Sequence, residues 1–120
     1  MHITKKIGRA LRGFLIVFSR ESSIQIQSVI GVGAIALAWY LGVGRIEFIV
    51  LLILCFSVVM VEGVNTVLER VIDLAEPRYH DVVRDIKDAM AGLVLLASLG
   101  ATIVGVLILL PYLLALRSFQ

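Results

Sequence analysis

The chain has 120 residues, 60% hydrophobic and 17% charged, with a mean hydropathy of +1.03. Soluble domains carry about 45–50% apolar residues, so this composition excludes an ordinary water-soluble fold and points to one small membrane domain. The net charge of +2, without a lysine- or arginine-rich tract, argues against nucleic acid as a partner, and the single cysteine, Cys55, reads as an inert buried thiol.

Residues 3–20 set Lys5, Lys6, Arg9, Arg12 and Arg20 among Ile7, Leu11, Phe14, Leu15 and Phe18. Apolar residues at spacings of three and four predict an amphipathic helix lying along the membrane interface. A basic anchor that only sets topology is the other reading of this segment. Its apolar run is broken by charge and lacks a small-residue cleavage site, unlike a secretory signal peptide.

A first membrane span is expected over about 28–41, with Trp39 and Tyr40 near its end as an interfacial aromatic belt. That core is shorter than the roughly 20 residues of a full crossing, so the helix should begin earlier, within SSIQIQ. GVGR at 42–45 makes the turn. A second helix is expected over 46–75, ending before Glu76-Pro77, because the residue ahead of a proline disfavours the helical conformation. Thirty residues rise about 45 Å against a hydrocarbon core of about 30 Å, so this helix must emerge with Glu69 and Asp73 in headgroups or water. RYHDVVRDIKD at 78–88 is a polar connection that turns into a helix, and a third span follows over about 89–110, with Pro111 marking its far end. The expected fold is thus all-α: three transmembrane helices and an amphipathic interfacial helix within one domain.

Basic residues set the orientation. Five lie in the amino-terminal segment and four in 62–88 (Arg70, Arg78, Arg84, Lys87), against Arg45 and Arg117 on the other side. The positive-inside rule then puts the amino terminus and the 62–88 region in the cytoplasm, the compartment that holds ATP.

Glu62, Asn65, Glu69 and Asp73 follow the apolar run of the second span at intervals of three, four and four, which gathers them on one stripe of a helix. Glu62 and Glu69 differ by roughly 10 Å in depth, so one carboxylate sits near lipid and the other near water. An ionisable group at the bilayer centre costs about 2.5–3.5 kcal/mol on insertion scales, so Glu62 reads as functional, the alternative being a helix-end carboxylate that reaches water or an arginine. Taken singly, Asn65 reads as an interhelical hydrogen bonder, and Glu69 and Asp73 as a solvated face. The four together point to a site. Glu21, the one acid beside the basic segment, is a candidate to share a hard cation such as Mg²⁺ with Glu69, or else a surface partner of Arg12 or Arg20. Tyr79 and His80 are candidate nucleotide contacts, with interface packing the other reading of Tyr79. There is no zinc spacing and no Walker-type phosphate loop.

The stretch from Glu62 to Asp73, with Tyr79-His80 and Lys87-Asp88 downstream, resembles the prokaryotic diacylglycerol kinase family, which includes the undecaprenol kinases. The E-x-x-N-[ST]-x-x-E-x-x-x-D pattern with a later K-D carries the likeness, which extends over nearly the whole chain. What the resemblance implies is an integral-membrane kinase that moves the γ-phosphate of ATP to a lipid hydroxyl with Mg²⁺. It also implies a homotrimer with active sites between neighbouring protomers. On matching positions, Glu62 resembles the catalytic base, and Glu21 and Glu69 the metal-binding carboxylates, which also contact the nucleotide. Asn65 and Asp73 take supporting positions, and Arg78, Tyr79, His80, Lys87 and Asp88 match the nucleotide-contacting region. The chain lacks a tryptophan-rich amino-terminal segment, and RGF at 12–14, DLAEPRYH and AGLVLLASLGA look more like undecaprenol kinases, which favours undecaprenol over diacylglycerol as acceptor. A competing class is a small transporter or proton-coupled channel that uses Glu62 as its membrane carboxylate. Such transporters need four spans and have no use for the Glu69-Asp73-Lys87-Asp88 set.

Overall fold

The computed structural model describes residues 2–119 and consists of four helices, α1 (Ile3–Arg20), α2 (Ser22–Leu41), α3 (Arg45–Ala75) and α4 (Asp81–Arg117). There is no strand among the described residues. Three of the helices, α2, α3 and α4, are long and apolar enough to cross a membrane. The chain is an all-α membrane protein.

Each helix ends for a local reason. Glu21 is extended (φ −114°, ψ 110°) and separates α1 from α2, ending the first helix and capping the second. Gln25 Nε2 folds back across this joint to donate to the carbonyls of Phe18 (2.9 Å) and Ser19 (3.3 Å), two acceptors that the end of α1 leaves open. At the other end of α2, Gly42 takes the left-handed conformation (φ 67°) and the Val43 N–H bonds the Ala38 carbonyl, a Schellman-type stop that favours glycine. The Glu47 carboxylate then accepts from the Gly44 N–H (3.1 Å) and caps the start of α3. Ahead of Pro77, α3 stops at Ala75.

Helix α4 does not end at Pro111 but runs on to Arg117. A proline inside a helix loses one ladder hydrogen bond and crowds the carbonyl four residues back, but the leucine-rich residues after Pro111 are good helix formers and continue the helix. Tyr112 adds an anchor: its hydroxyl donates to the Glu47 carboxylate and accepts from the Gly44 N–H at 3.3 Å, tying α4 to the α2–α3 turn. Near the same turn Trp39 packs edge-on against Phe48, with ring centroids 6.1 Å apart.

Helix α3 is the hub, packing against both α2 and α4. Its buried residues are Leu51, Val58, Glu62 and Thr66, all on one face at intervals of seven, four and four. Within the membrane the packing uses small and polar side chains, as helices surrounded by lipid require. Cys55 sits against Gly31, and Gln27 of α2 donates to Ser98 of α4 at 3.4 Å. The outer faces of α2, α3 and α4 present leucine, isoleucine, valine and phenylalanine. Helix α1 has no buried residue and packs against α2, and its Phe14, Val17 and Phe18 line one side of a groove whose other side carries Met60 and Val67 of α3.

Candidate active site

The buried stripe of α3 changes character along its length. Leu51 and Val58 give way one turn later to Glu62 and then Thr66, so the acid occupies a packed position, not a lipid-facing one. Glu62 keeps 8% of its exposure and has no ion-pair partner among the described residues. Around it the same end of the bundle is closed by Ile24 of α2 and Val83 of α4, both buried. Thr66 spends its hydroxyl on the Glu62 carbonyl (3.1 Å), which leaves the carboxylate itself free.

Two further acids approach it. Glu21, at the α1–α2 joint, and Glu69, two turns along α3, are the charged groups whose fields reach the Glu62 carboxylate. Asn65 lies between Glu62 and Glu69 on the helix, and its Oδ1 is buried without a hydrogen-bond partner among the described residues. A buried acceptor left open costs about 1–3 kcal/mol, which marks the position as one that a donor or cation completes.

The cationic side of the site is built from α3 and α4. Lys87 Nζ donates to Asp73 Oδ1 at 2.6 Å, crossing from the start of α4, ahead of its apolar run, to the emerged end of α3. That hydrogen bond, reinforced by the nearby Asp73 and Glu69 charges, holds the Lys87 ammonium above the usual lysine range. Arg70 Nη2 reaches Glu21 Oε1 at 3.4 Å.

The remaining sequence candidates do not converge on the acids in the same way. Arg78 pairs with Glu76 at 3.5 Å within the α3–α4 connection, and Tyr79 is exposed. His80 caps α4, its Nδ1 accepting from the Val83 N–H at 3.5 Å. Asp88 is exposed one residue beyond Lys87. Sequence reasoning counted Arg70 only for topology and passed over Thr66. The signal for Arg70 was its place beside Glu69, but its partner lies 49 residues away in sequence.

The oxygen donors suit a hard divalent cation. Glu21, Glu69 and the open Asn65 Oδ1 offer no thiol or imidazole, and Mg²⁺ prefers carboxylates, phosphate oxygens and retained water. No group of three or more His, Cys, Asp or Glu side chains is preassembled among the described residues, so phosphate and water would complete such a shell.

An apolar corridor leads to this end of the bundle. A groove of about 690 Å³ between α2 and α3, roofed by Phe14 of α1, is lined by Gly31, Ile35, Trp39, Phe56 and Met60. It adjoins a second groove of about 430 Å³ under α1 that reaches Gly63, the residue after Glu62.

Comparison with known proteins gives the chain relatives. The family model described as prokaryotic diacylglycerol kinase matches residues 8–109. The chain is 38% identical over 108 residues to a diacylglycerol kinase of Synechocystis, covering 89% of the chain and 62% of that relative. It is 27% identical over 107 residues to an undecaprenol kinase of Bacillus subtilis, covering 89% of the chain and 87% of that relative. The chain therefore spans less than two thirds of the length of the cyanobacterial relative.

Proposed function

The chain belongs to the prokaryotic diacylglycerol kinase family, and on that premise we propose that it is a membrane lipid kinase that transfers the γ-phosphate of ATP to the hydroxyl of a membrane lipid alcohol. One observation supports this most: Glu62 is a buried carboxylate with no ion-pair partner among the described residues, next in sequence to the Gly63 that an apolar groove reaches, and Glu69 and Asp73 follow it along α3. A base for a lipid hydroxyl and a set of oxygens for a phosphate-bound cation belong at these two depths.

In the proposed reaction the lipid hydroxyl enters along the corridor and reaches Glu62, whose carboxylate accepts the hydroxyl proton as the oxygen bonds to the γ-phosphorus. The bond between that phosphorus and the β–γ bridging oxygen breaks, and ADP leaves. Such a transfer depends on positioning and on neutralising phosphate charge rather than on covalent catalysis. Glu21 and Glu69 hold Mg²⁺, and Asn65 and Asp73 support the acids and Lys87. When bound, Mg²⁺ neutralises and orients the phosphate oxygens. Lys87 and Asp88, with Arg78, Tyr79 and His80, contact the nucleotide. Arg78 and His80 must turn from their present partners to do so, a movement suited to the short α3–α4 connection, while Tyr79 is already exposed. We place this end of the bundle on the cytoplasmic side of a bacterial inner membrane, where ATP is available. We also propose a homotrimer in which neighbouring protomers complete each site, since α4 buries only Val83 within a single chain.

The lining of the corridor supports the choice of acceptor. Its walls are almost wholly apolar below the level of Glu62, which suits a polyprenol that carries no polar group beneath its hydroxyl. A diacylglycerol brings ester carbonyls to the same depth, where the groove offers the polar side chains of Gln27 and Ser28. We therefore put undecaprenol first and diacylglycerol second. Mixed micelles of purified protein, Mg²⁺ and γ-labelled ATP with either lipid decide between them. Faster labelling of undecaprenol supports this order, and faster labelling of diacylglycerol reverses it.

The transporter reading has no matching support. Three helices among the described residues are long and apolar enough to cross a membrane, one fewer than such a transporter needs, and that reading gives the Asp73–Lys87 pair no task.

A further inference from the structure

Glu21 is the one proposed cation ligand that a helix does not fix. It sits in an extended joint, and its backbone serves only to end α1 and start α2 through Glu21 N–H to Val17 O and Gln25 N–H to Glu21 O, both 3.2 Å. Glu69, by contrast, is set within α3, with more than six helical turns on its amino-terminal side. The aim of the Glu21 carboxylate must therefore come from a contact of its side chain. The structure supplies one, the Arg70 guanidinium at 3.4 Å from Oε1.

Three features set this contact apart from an ordinary surface ion pair. Arg70 follows Glu69 directly on α3, so the residue that grips Glu21 is fixed to the same turn as the other ligand. Among the described residues it is also the only cation in ion-pair contact with any of Glu21, Glu62 and Glu69. Finally, both side chains are partly exposed, at 42% and 35%, and an ion pair at that exposure adds little to stability. Its effect lies in geometry: a guanidinium bonded to one carboxylate oxygen leaves the other directed elsewhere, as outer-shell partners of metal ligands do.

We infer that Arg70 is a positioning residue that holds Glu21 at the α1–α2 joint in register with Glu69, so that the two carboxylates share one divalent cation. The inference rests on the kinase reading given above. Lysine at position 70 keeps the charge and much of the reach, whereas a neutral side chain lets the joint carry Glu21 away. Gln25 does not replace the contact, because both of its donor bonds go to main-chain carbonyls of α1.

The test is direct Mn²⁺ binding, read by electron paramagnetic resonance on the purified full chain in detergent with a non-hydrolysable ATP analogue. Arg70→Gln is expected to weaken Mn²⁺ binding about 10-fold, at the lower end of what loss of an outer-shell partner costs. Arg70→Lys should restore most of the affinity, and Arg70→Met, which keeps the apolar stem, gives the same reading as Arg70→Gln should that variant not fold. In a Glu21→Gln background the Arg70 substitution should add no further loss. Neutral variants that bind Mn²⁺ within about 2-fold of the parent chain overturn the inference, as does an equal further loss in the Glu21→Gln background, which would mean that Arg70 acts on the phosphates directly. A parent chain that binds no Mn²⁺ with the nucleotide overturns the kinase reading together with the inference.

Discussion

Glu62 occupies a position that a leucine or valine would fill if the packed stripe of α3 simply continued. Its burial by protein, with no cation in contact among the described residues, fits the proposed role of proton acceptor, whereas Asp73, three turns along α3, forms a more exposed pair with Lys87. The Asp73 bond fixes the Lys87 ammonium, which in the proposed reaction meets a nucleotide phosphate. Lys87→Gln is accordingly expected to raise the KM for ATP by about 10-fold or more, the equivalent of one hydrogen bond to a charged group, with a smaller effect on kcat. Steady-state kinetics at varied ATP checks this, and an unchanged KM would remove Lys87 from the nucleotide site. The acidic stripe was legible in the sequence because helical periodicity alone puts Glu62, Asn65, Glu69 and Asp73 on one side. The open Asn65 Oδ1 was not legible, since it depends on what α1, α2 and α4 bring or fail to bring to that face.

At the scale of the elements, the two ends of the bundle are fastened differently. The Glu21 end is a joint held by side chains, with Gln25 closing the end of α1 and Arg70 gripping Glu21. The opposite end is a lock in which Tyr112, Glu47 and the Gly44 N–H bind one another. Tyr112→Phe leaves the Glu47 carboxylate and the Gly44 N–H with one partner fewer, and about 1–2 kcal/mol of stability should be lost for a half-buried hydrogen bond to a charged group. Thermal unfolding in detergent measures this, and lipid labelling should be unaffected because Glu47 lies about 22 Å along α3 from Glu62. Neither fastening could be read from the sequence. Each joins residues 49 to 68 positions apart, and the angle at the Glu21 joint is not encoded in any local pattern. The same lock explains why α4 passes Pro111, where a proline in a helical pattern reads as a stop.

The whole molecule is a thin bundle in which α3 is enclosed on one side and bare on the other. Phe56, Met60, Val64, Val67 and Val71 all lie open. Val64, Val67 and Val71 continue this apolar face past Glu62. A second copy of the chain is the occupant proposed above, so native mass spectrometry from mild detergent should give a species about three times the 13.1 kDa chain mass. A monomer that remains active would contradict the shared-site arrangement. The distribution of basic residues predicts orientation as well: a thiol introduced at Tyr79 should react with an impermeant reagent only in inside-out vesicles, and one introduced at Arg45 only in right-side-out vesicles.

The central claim is that Glu62 takes the proton of a lipid hydroxyl while the acids above it hold the nucleotide's cation. The most direct measurement compares the parent chain with Glu62→Gln in mixed micelles of lipid alcohol, Mg²⁺ and γ-labelled ATP, with Mg²⁺–nucleotide binding followed in parallel. The account predicts label in the lipid phase for the parent chain, a loss of about 10²–10⁴-fold in Glu62→Gln, and nucleotide binding that is retained. Undiminished labelling by Glu62→Gln, or no labelled lipid from the parent chain with either alcohol, would contradict it.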